Sequence, residues 1–347
     1  MARKAVVLFN LGGPDNLEAV EPFLFNLFYD PAIIRVPKPI RYLIAKLISK
    51  RRAPIAQDIY RNIGGSSPLL QQTRDQATAL QTRLTDLLKS DEVKVFIAMR
   101  YWHPMTEQTV RDVKAFGADE VILLPLYPQF STTTTGSSVK EWKKVAKQVG
   151  LDAVTTELCC YPDDKGFIDA NTALILEKLQ QIPENKDRPR LLFSAHGLPK
   201  KIVDAGDPYQ WQVEQSVAAI VKKLNIPDLD YTICYQSRVG PVEWIKPATE
   251  DEIERAGKEN RSLMIIPVAF VSEHSETLVE LDIEYAELAE QSGVPDYYRV
   301  PTVGVHADYI NGLADLVLGM ERGKMTSLCG QAICPKSMAD CPFAKVD

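Results

Sequence analysis

No stretch of this 347-residue chain is apolar over the ~20 residues that a bilayer-spanning helix requires. Charge of one sign is missing too: 40 Lys and Arg face 46 Asp and Glu, a net charge of −6, and neither half is strongly basic. Phosphate backbones want a basic stripe, so the reading is no nucleic acid among the partners. The N-terminus, Met1-Ala2-Arg3-Lys4, runs straight into a short strand pattern without the apolar core of a secretion signal, which predicts a cytoplasmic protein. Cysteine is sparse at six residues, and in that compartment thiols serve metals or redox chemistry before disulfides. Histidine is sparser still. Its four copies, His103, His196, His274 and His306, each follow an apolar run, where an α/β sheet binds its ligands.

What is present is an ordinary globular composition, 45% apolar and 25% charged, with room for about two domains. Strand patterns occur at Ala5–Phe9, Val93–Met99, Glu120–Leu124, Val154–Leu158, Arg190–Phe193, Tyr231–Tyr235, Leu263–Ile266 and Tyr298–Thr302. Helical patterns such as Asp75–Leu88, Ser137–Val149, Gly166–Leu179 and Pro208–Leu224 lie between them. That alternation predicts an α/β fold with parallel sheets flanked by helices. The halves resemble each other: VVLFNLGGP at 6–14 answers LLFSAHGLP at 191–199, and ILLPLYPQFS at 122–131 answers MIIPVAFVS at 264–272. We therefore expect a duplicated four-stranded unit, with domains at 1–162 and 163–307 and strand ends lining a cleft. Residues 20–52 interrupt the first domain with apolar, aromatic and basic residues, read either as an exposed apolar lip or as ordinary helix packing. A lip would admit a flat apolar ligand or rest peripherally on the inner face of a membrane. Residues 308–347 form a closing helix and a tail with little apolar periodicity, bearing Cys329, Cys334 and Cys341 as C-x4-C-x6-C. A segment without its own core needs a staple.

The chemistry concentrates between Met264 and Tyr285. An apolar run empties into Ser272, Glu273, His274, Ser275 and Glu276, and Glu276, Glu280 and Glu284 recur every four residues, as on one helix face. Two readings are open: a solvated acidic face, or a path along which a divalent cation is passed. Ser194-Ala195-His196-Gly197-Leu198-Pro199 follows another buried strand, and its turn presents an imidazole that titrates near neutral pH.

The motifs L-G-G-P (11–14), R-Y-W-H-P (100–104), L-Y-P-Q-F-S-T-T-T-T-G-S-S (126–138), S-A-H-G-L-P (194–199), Y-Q-S-R-V-G-P (235–241) and S-E-H-S-E-T-L-V-E-L-D-I-E-Y (272–285) together resemble the ferrochelatase family over residues 5 to 318. The resemblance implies a type II chelatase-like fold of two Rossmann-like domains. It implies insertion of Fe²⁺ into protoporphyrin IX in haem biosynthesis, with iron as substrate. His196 and Glu276 match the catalytic pair and, with Glu280 and Glu284, metal-contacting positions, Glu280 and Glu284 matching an acidic ladder on a π-distorted helix. Leu11, Arg51, Tyr60, Ser67, Tyr101, Trp244 and Phe270 match positions that contact the porphyrin. The tail resembles that of members carrying a [2Fe–2S] cluster, which needs four thiolates. Thr132 stands where animal members place the fourth, but bacterial members place it just before a Tyr-Pro pair, so the resemblance implies Cys160, Cys329, Cys334 and Cys341, with Cys159 as the alternative to Cys160 and zinc as the alternative to the cluster. Alternative functions are a coproporphyrin or cobalt chelatase and a non-catalytic haem or metal carrier. The sequence leaves monomer and homodimer both open.

Overall fold

Apolar runs flanked by amphipathic segments become parallel strands covered by helices, and two such sheets form in the computed structural model, which describes residues 2–238, 240–327 and 333–345. The chain divides into two units, Met1–Cys160 with Leu313–Gln331, and Tyr161–Gly312 with Ala332–Asp347. The first contains β1 (Arg3–Asn10), α1 (Val20–Phe28), α2 (Lys38–Arg61), α3 (Leu69–Leu87), β2 (Glu92–Met99), α4 (Thr106–Phe116), β3 (Glu120–Pro125), α5 (Thr135–Val149) and β4 (Val154–Leu158). The second contains α6 (Lys165–Gln180), β5 (Arg190–His196), α7 (Lys200–Asp204), α8 (Tyr209–Leu224), β6 (Tyr231–Gln236), α9 (Thr249–Lys258), β7 (Leu263–Pro267), α10 (Ser275–Leu278), a π-helix (Glu280–Glu284), α11 (Tyr285–Gln291) and β8 (Tyr297–Arg299). Then follow α12 (Ala307–Gly319) and β9 (Met325–Thr326), the division between units running through α12.

The sheets share one topology. Strand order is β2-β1-β3-β4-β9 in the first and β6-β5-β7-β8 in the second, so in both the first strand of the set lies between the second and third. All pairings are parallel. The duplicated pattern read in the sequence is thus a duplicated topology. One correction applies: the first sheet has five strands, because Met325 and Thr326 pair with Glu157 and Leu158 on β4. Two residues carry no period, so no sequence pattern marks them as a strand. A second correction concerns β8, which spans Tyr297–Arg299 rather than Tyr298–Thr302. Pro301 has no N–H to offer a ladder, and the strand stops before it.

The first core packs Val7, Phe9, Val121 and Leu123 against Val110, Val113 and Trp142. The second packs Leu192, Leu263 and Ile265 against Ile253, Leu281 and Tyr285, so the π-helix rests on the sheet through Leu281. The 20–52 insertion supplies α1 and the first part of α2, and Val20, Phe23 and Leu24 of α1 cluster with Ala53 and Tyr60 of α2. Along α2, Ile40, Leu43 and Leu47 are 51%, 67% and 50% exposed at i, i+3, i+7 spacing. Two glycines serve the turns after β1 and β5. Gly12 has φ +86°, favoured by glycine, and a Cβ there would lie 2.9 Å from the Trp102 nitrogen. At Gly197 a Cβ would lie 2.9 Å from the Gln236 carbonyl oxygen, so only glycine lets the turn close on the end of β6.

Candidate active site

In the second unit three strand ends meet one helical segment. His196 is the last residue of β5, Gln236 the last of β6, and the chain leaving β7 supplies His274, Glu276 and Glu280. The His196 Nδ1 lies 2.6 Å from the Gly197 carbonyl and the His274 Nδ1 3.0 Å from that of Ser272. A carbonyl only accepts, so each Nδ1 carries a proton and each Nε2 is left to face its neighbour. Both face the same carboxylate. His196 Nε2 is 3.8 Å from Glu276 Oε1, and His274 Nε2 is 3.6 Å from Glu276 Oε2. The His274 side chain is 10% exposed, whereas His196 keeps 38% and is the imidazole an arriving ligand can reach.

Charge follows from this geometry. Burial pushes the Glu276 carboxyl up, but the His196 and His274 imidazoles outweigh it and hold it at about 2. Burial works against a charged His274, yet Glu276 raises it above the usual imidazole range. Glu280 behaves oppositely to Glu276: burial and the Glu276 charge raise it, against hydrogen bonds from Ser237 and Gln236. Those bonds are a built cradle. Gln236 Nε2 donates to Glu280 Oε2 at 2.9 Å, Ser237 N to Oε1 at 2.8 Å, Ser237 Oγ to Oε2 at 2.6 Å and Tyr285 OH to Oε1 at 3.0 Å. Ser194 Oγ donates to Gln236 Oε1 at 2.7 Å, which fixes the amide so that its nitrogen faces Glu280 and the Glu276 carbonyl. Ser237 adopts φ +64°, unusual for a non-glycine residue, and so aims both its N–H and its hydroxyl at one carboxylate.

The regular four-residue spacing of the carboxylates gives way here. The i→i+5 turn between Val279 and Glu284 widens the helix, so Glu280 turns to its cradle while Glu284 is exposed. Glu284 is raised by its partial burial and by Glu287. Among the described residues, no group of three or more His, Cys, Asp and Glu side chains is arranged to hold a metal ion. Of the remaining expected positions in this unit, Phe270 packs its ring 4.7 Å from that of His274, and Trp244 lies beside Gly197. In the first unit Leu11 packs with buried Tyr60 and Tyr101 in one apolar cluster, Ser67 lies against Gly13, and Arg51 is exposed on α2. Tyr101 donates to buried Asp30 at 2.8 Å, an acceptor that also pairs with Arg100 at 2.8 Å and hydrogen-bonds Ser137. Cys159 and Cys160 are both buried, with sulfurs 3.0 Å apart. Cys334 and Cys341 are hydrogen-bonded in the tail of the second unit, and Cys329 lies outside the described residues. Burial pushes the Cys234 thiol up to about 12, as befits a core residue.

A ferrochelatase family profile matches residues 3–320. The chain belongs to the ferrochelatase family. Ferrochelatase of Pelagibacter ubique is 51% identical over 98% of both chains, and ferrochelatase of Caulobacter vibrioides is 54% identical over 97% of this chain and 96% of its own. At such identity over nearly the full length, this ferrochelatase is an enzyme of haem biosynthesis. Its fold is similar to that of Bacillus subtilis SirB solved with Fe³⁺, at TM-score 0.54 and 14% identity over 92% of this chain and 95% of that one. The residues around these side chains that sequence reasoning did not name as part of the site are Gln236, Ser237 and Tyr285, whereas His274 was read at a ligand-binding strand end but not in the catalytic pair. Gln236 and Ser237 stood in plain view in the Y-Q-S-R-V-G-P motif, but no periodicity says that a strand end will cradle a carboxylate forty-odd residues later.

Proposed function

We propose that this ferrochelatase inserts Fe²⁺ into protoporphyrin IX at His196 and Glu276, releasing two protons. The carrying observation is one carboxylate flanked by two imidazoles, only one of which is reachable. Metallation removes two pyrrole protons, so a base must meet the ring nitrogens. Held at about 2, Glu276 is a poor proton acceptor near neutrality but a permanent anion. His196 therefore takes the two pyrrole protons one after the other, handing each on before it takes the next, and Glu276 stabilises the imidazolium formed each time. Glu280, raised by burial and by Glu276, accepts a proton more readily and passes it toward exposed Glu284. The same imidazole and carboxylate oxygens suit Fe²⁺ in transit, since a metal that must leave wants a weak, incomplete donor set. Leu11, Arg51, Tyr60, Ser67, Tyr101, Trp244 and Phe270 belong to the proposal as porphyrin contacts whose binding energy offsets ring distortion. The exposed Ile40, Leu43 and Leu47, with Lys46 and Lys50 beside them, support a cytoplasmic protein resting peripherally on a membrane, which vesicle flotation tests.

A [2Fe–2S] cluster on Cys160, Cys329, Cys334 and Cys341 completes the reading. The donor chemistry of the described tail residues fits. The hydrogen bond from Cys334 holds the Cys341 thiol down at about 6, so it is largely the ligating thiolate near neutrality. Gln212 Nε2 donates to Cys334 Sγ at 3.2 Å. When bound, the cluster supplies a covalent staple and a redox-active chromophore. The decisive assay is anaerobic incubation with Fe²⁺ and protoporphyrin IX, with coproporphyrin in parallel. Porphyrin fluorescence should fall fastest with protoporphyrin; no decline with either substrate overturns the assignment.

A further inference from the structure

The segment that carries His274, Glu276 and Glu280 is braced from outside the site by the edge strand β8. Arg299, at the end of that strand, has a guanidinium only 14% exposed that reaches two carboxylates at once. Its Nε and Nη2 lie 2.7 and 2.6 Å from the two oxygens of Asp282, a bidentate pair, and its Nη1 lies 2.6 Å from Glu273 Oε1. Glu273 immediately precedes His274, and Asp282 sits inside the π-helix two residues after Glu280. One cation therefore ties both ends of the segment that bears all three site groups.

Two further struts come from the same neighbourhood. Tyr297 OH donates to the Leu281 carbonyl at 2.7 Å, inside the π-helix, and Thr302 N donates to Glu273 Oε1 at 2.9 Å. The energetic sense is clear. A π-turn is a rare, poorly favoured conformation that persists where its surroundings hold it. The bidentate Arg–carboxylate geometry supplies direction as well as attraction, which a lysine at 299 would not. Were Asp282 released, the helix would be free to tighten toward α spacing, and Glu280 would rotate away from Gln236 and Ser237.

We infer that Arg299, with Tyr297, is a positioning residue for metallation: it holds the π-helix in the register that keeps Glu276 between the two histidines and Glu280 in its cradle. The inference rests on the site assignment made above. Arg299 is not among the residues proposed to contact porphyrin or iron, so its removal should separate catalysis from binding.

The test compares wild type with Arg299→Met, Arg299→Lys, Asp282→Asn and the Met/Asn double variant, by steady-state metallation, porphyrin-binding titration without metal, and hydrogen exchange of peptides covering 275–291. The expected result for Arg299→Met is a kcat loss of about tenfold, a porphyrin Kd within twofold of wild type, and faster exchange confined to 275–291. Arg299→Lys should recover part of kcat, Asp282→Asn should show a smaller loss of the same kind, and the double variant should be no worse than Arg299→Met. If Arg299→Met does not fold, Asp282→Asn alone carries the test, because its side chain is one-third exposed. Unchanged exchange at 275–291 in Asp282→Asn overturns the brace. Faster exchange there with unchanged kcat overturns the positioning role. Loss of activity in His196→Ala but not in Arg299→Met would leave the site assignment standing and sink this inference alone.

Discussion

Replacing Glu276 by Gln removes the one anion between two imidazoles while keeping the shape of the side chain. In the wild type the carboxyl is held at about 2 against an ordinary 4.5, which corresponds to about 3 kcal/mol of preference for the charged form in the folded protein. A depressed carboxylate contributes stability that is fully present above its unfolded value and is lost as pH falls through its folded value. His274 is raised, so its contribution is fully present below its unfolded value near 6.5 and is lost as pH climbs through its folded value. The pair therefore stabilises most between pH 4.5 and 6.5. Urea unfolding at pH 5.5 should show Glu276→Gln less stable than wild type by up to ~3 kcal/mol, because charged His274 loses its partner. At pH 3 more than half of that difference should be gone, since the unfolded carboxyl is by then protonated while the folded one, held at about 2, is still mostly ionised. In a stopped metallation assay the same variant should lose on the order of 100-fold in kcat, the lower end of what a positioned proton-transfer group contributes. A stability difference that stays constant from pH 5.5 to pH 3, or turnover near wild type, would refute the reasoning.

Other perturbations give sharper contrasts. His196→Ala should abolish metallation while leaving the porphyrin-binding titration and the thermal midpoint nearly unchanged, because the imidazole is partly exposed and its hydrogen bond is to its neighbour's carbonyl. Glu280→Gln should cost more activity than Glu284→Gln, since only Glu280 sits in a hydrogen-bonded cradle; equal and negligible effects would restore the reading of a solvated acidic face. Asp30→Asn should destabilise by about 3 kcal/mol in urea unfolding, because it strands the largely buried Arg100 guanidinium. Purified protein should be reddish-brown and bleach on reduction, and Cys→Ser at 160, 329, 334 or 341 should remove colour and soluble yield while Cys234→Ser should not. Stoichiometric zinc in colourless protein would replace the cluster, and colour surviving Cys160→Ser but not Cys159→Ser would move the ligand by one residue.

Local chemistry was fully written in the chain. Short apolar runs bounded by Gly and Pro announced the strands, and the matched turns at Gly12-Gly13-Pro14 and Gly197-Leu198-Pro199 announced that the sheet was built twice. His196 was legible as a candidate because it ends a buried strand, and Glu276 because it heads a row of carboxylates after one, and the fold sets the two side chains beside each other. The motifs also carried the family, since six of them in register leave little freedom. What the chain could not state was anything resting on distant residues meeting. Met325 and Thr326 complete a sheet begun at Arg3, and two residues have no period to read. The carboxylate row has perfect α spacing in the sequence, so only the family resemblance pointed to a π-distortion; in the fold Asp282 is bound by Arg299 and Leu281 by Tyr297, and the π-turn sends Glu280 and Glu284 to different surroundings. The protonation pattern was likewise beyond the sequence. Three glutamates of one intrinsic acidity become a fixed anion, a raised acid in a cradle and an exposed group, because burial and neighbouring charge set a pKa and only the folded chain decides which groups are neighbours.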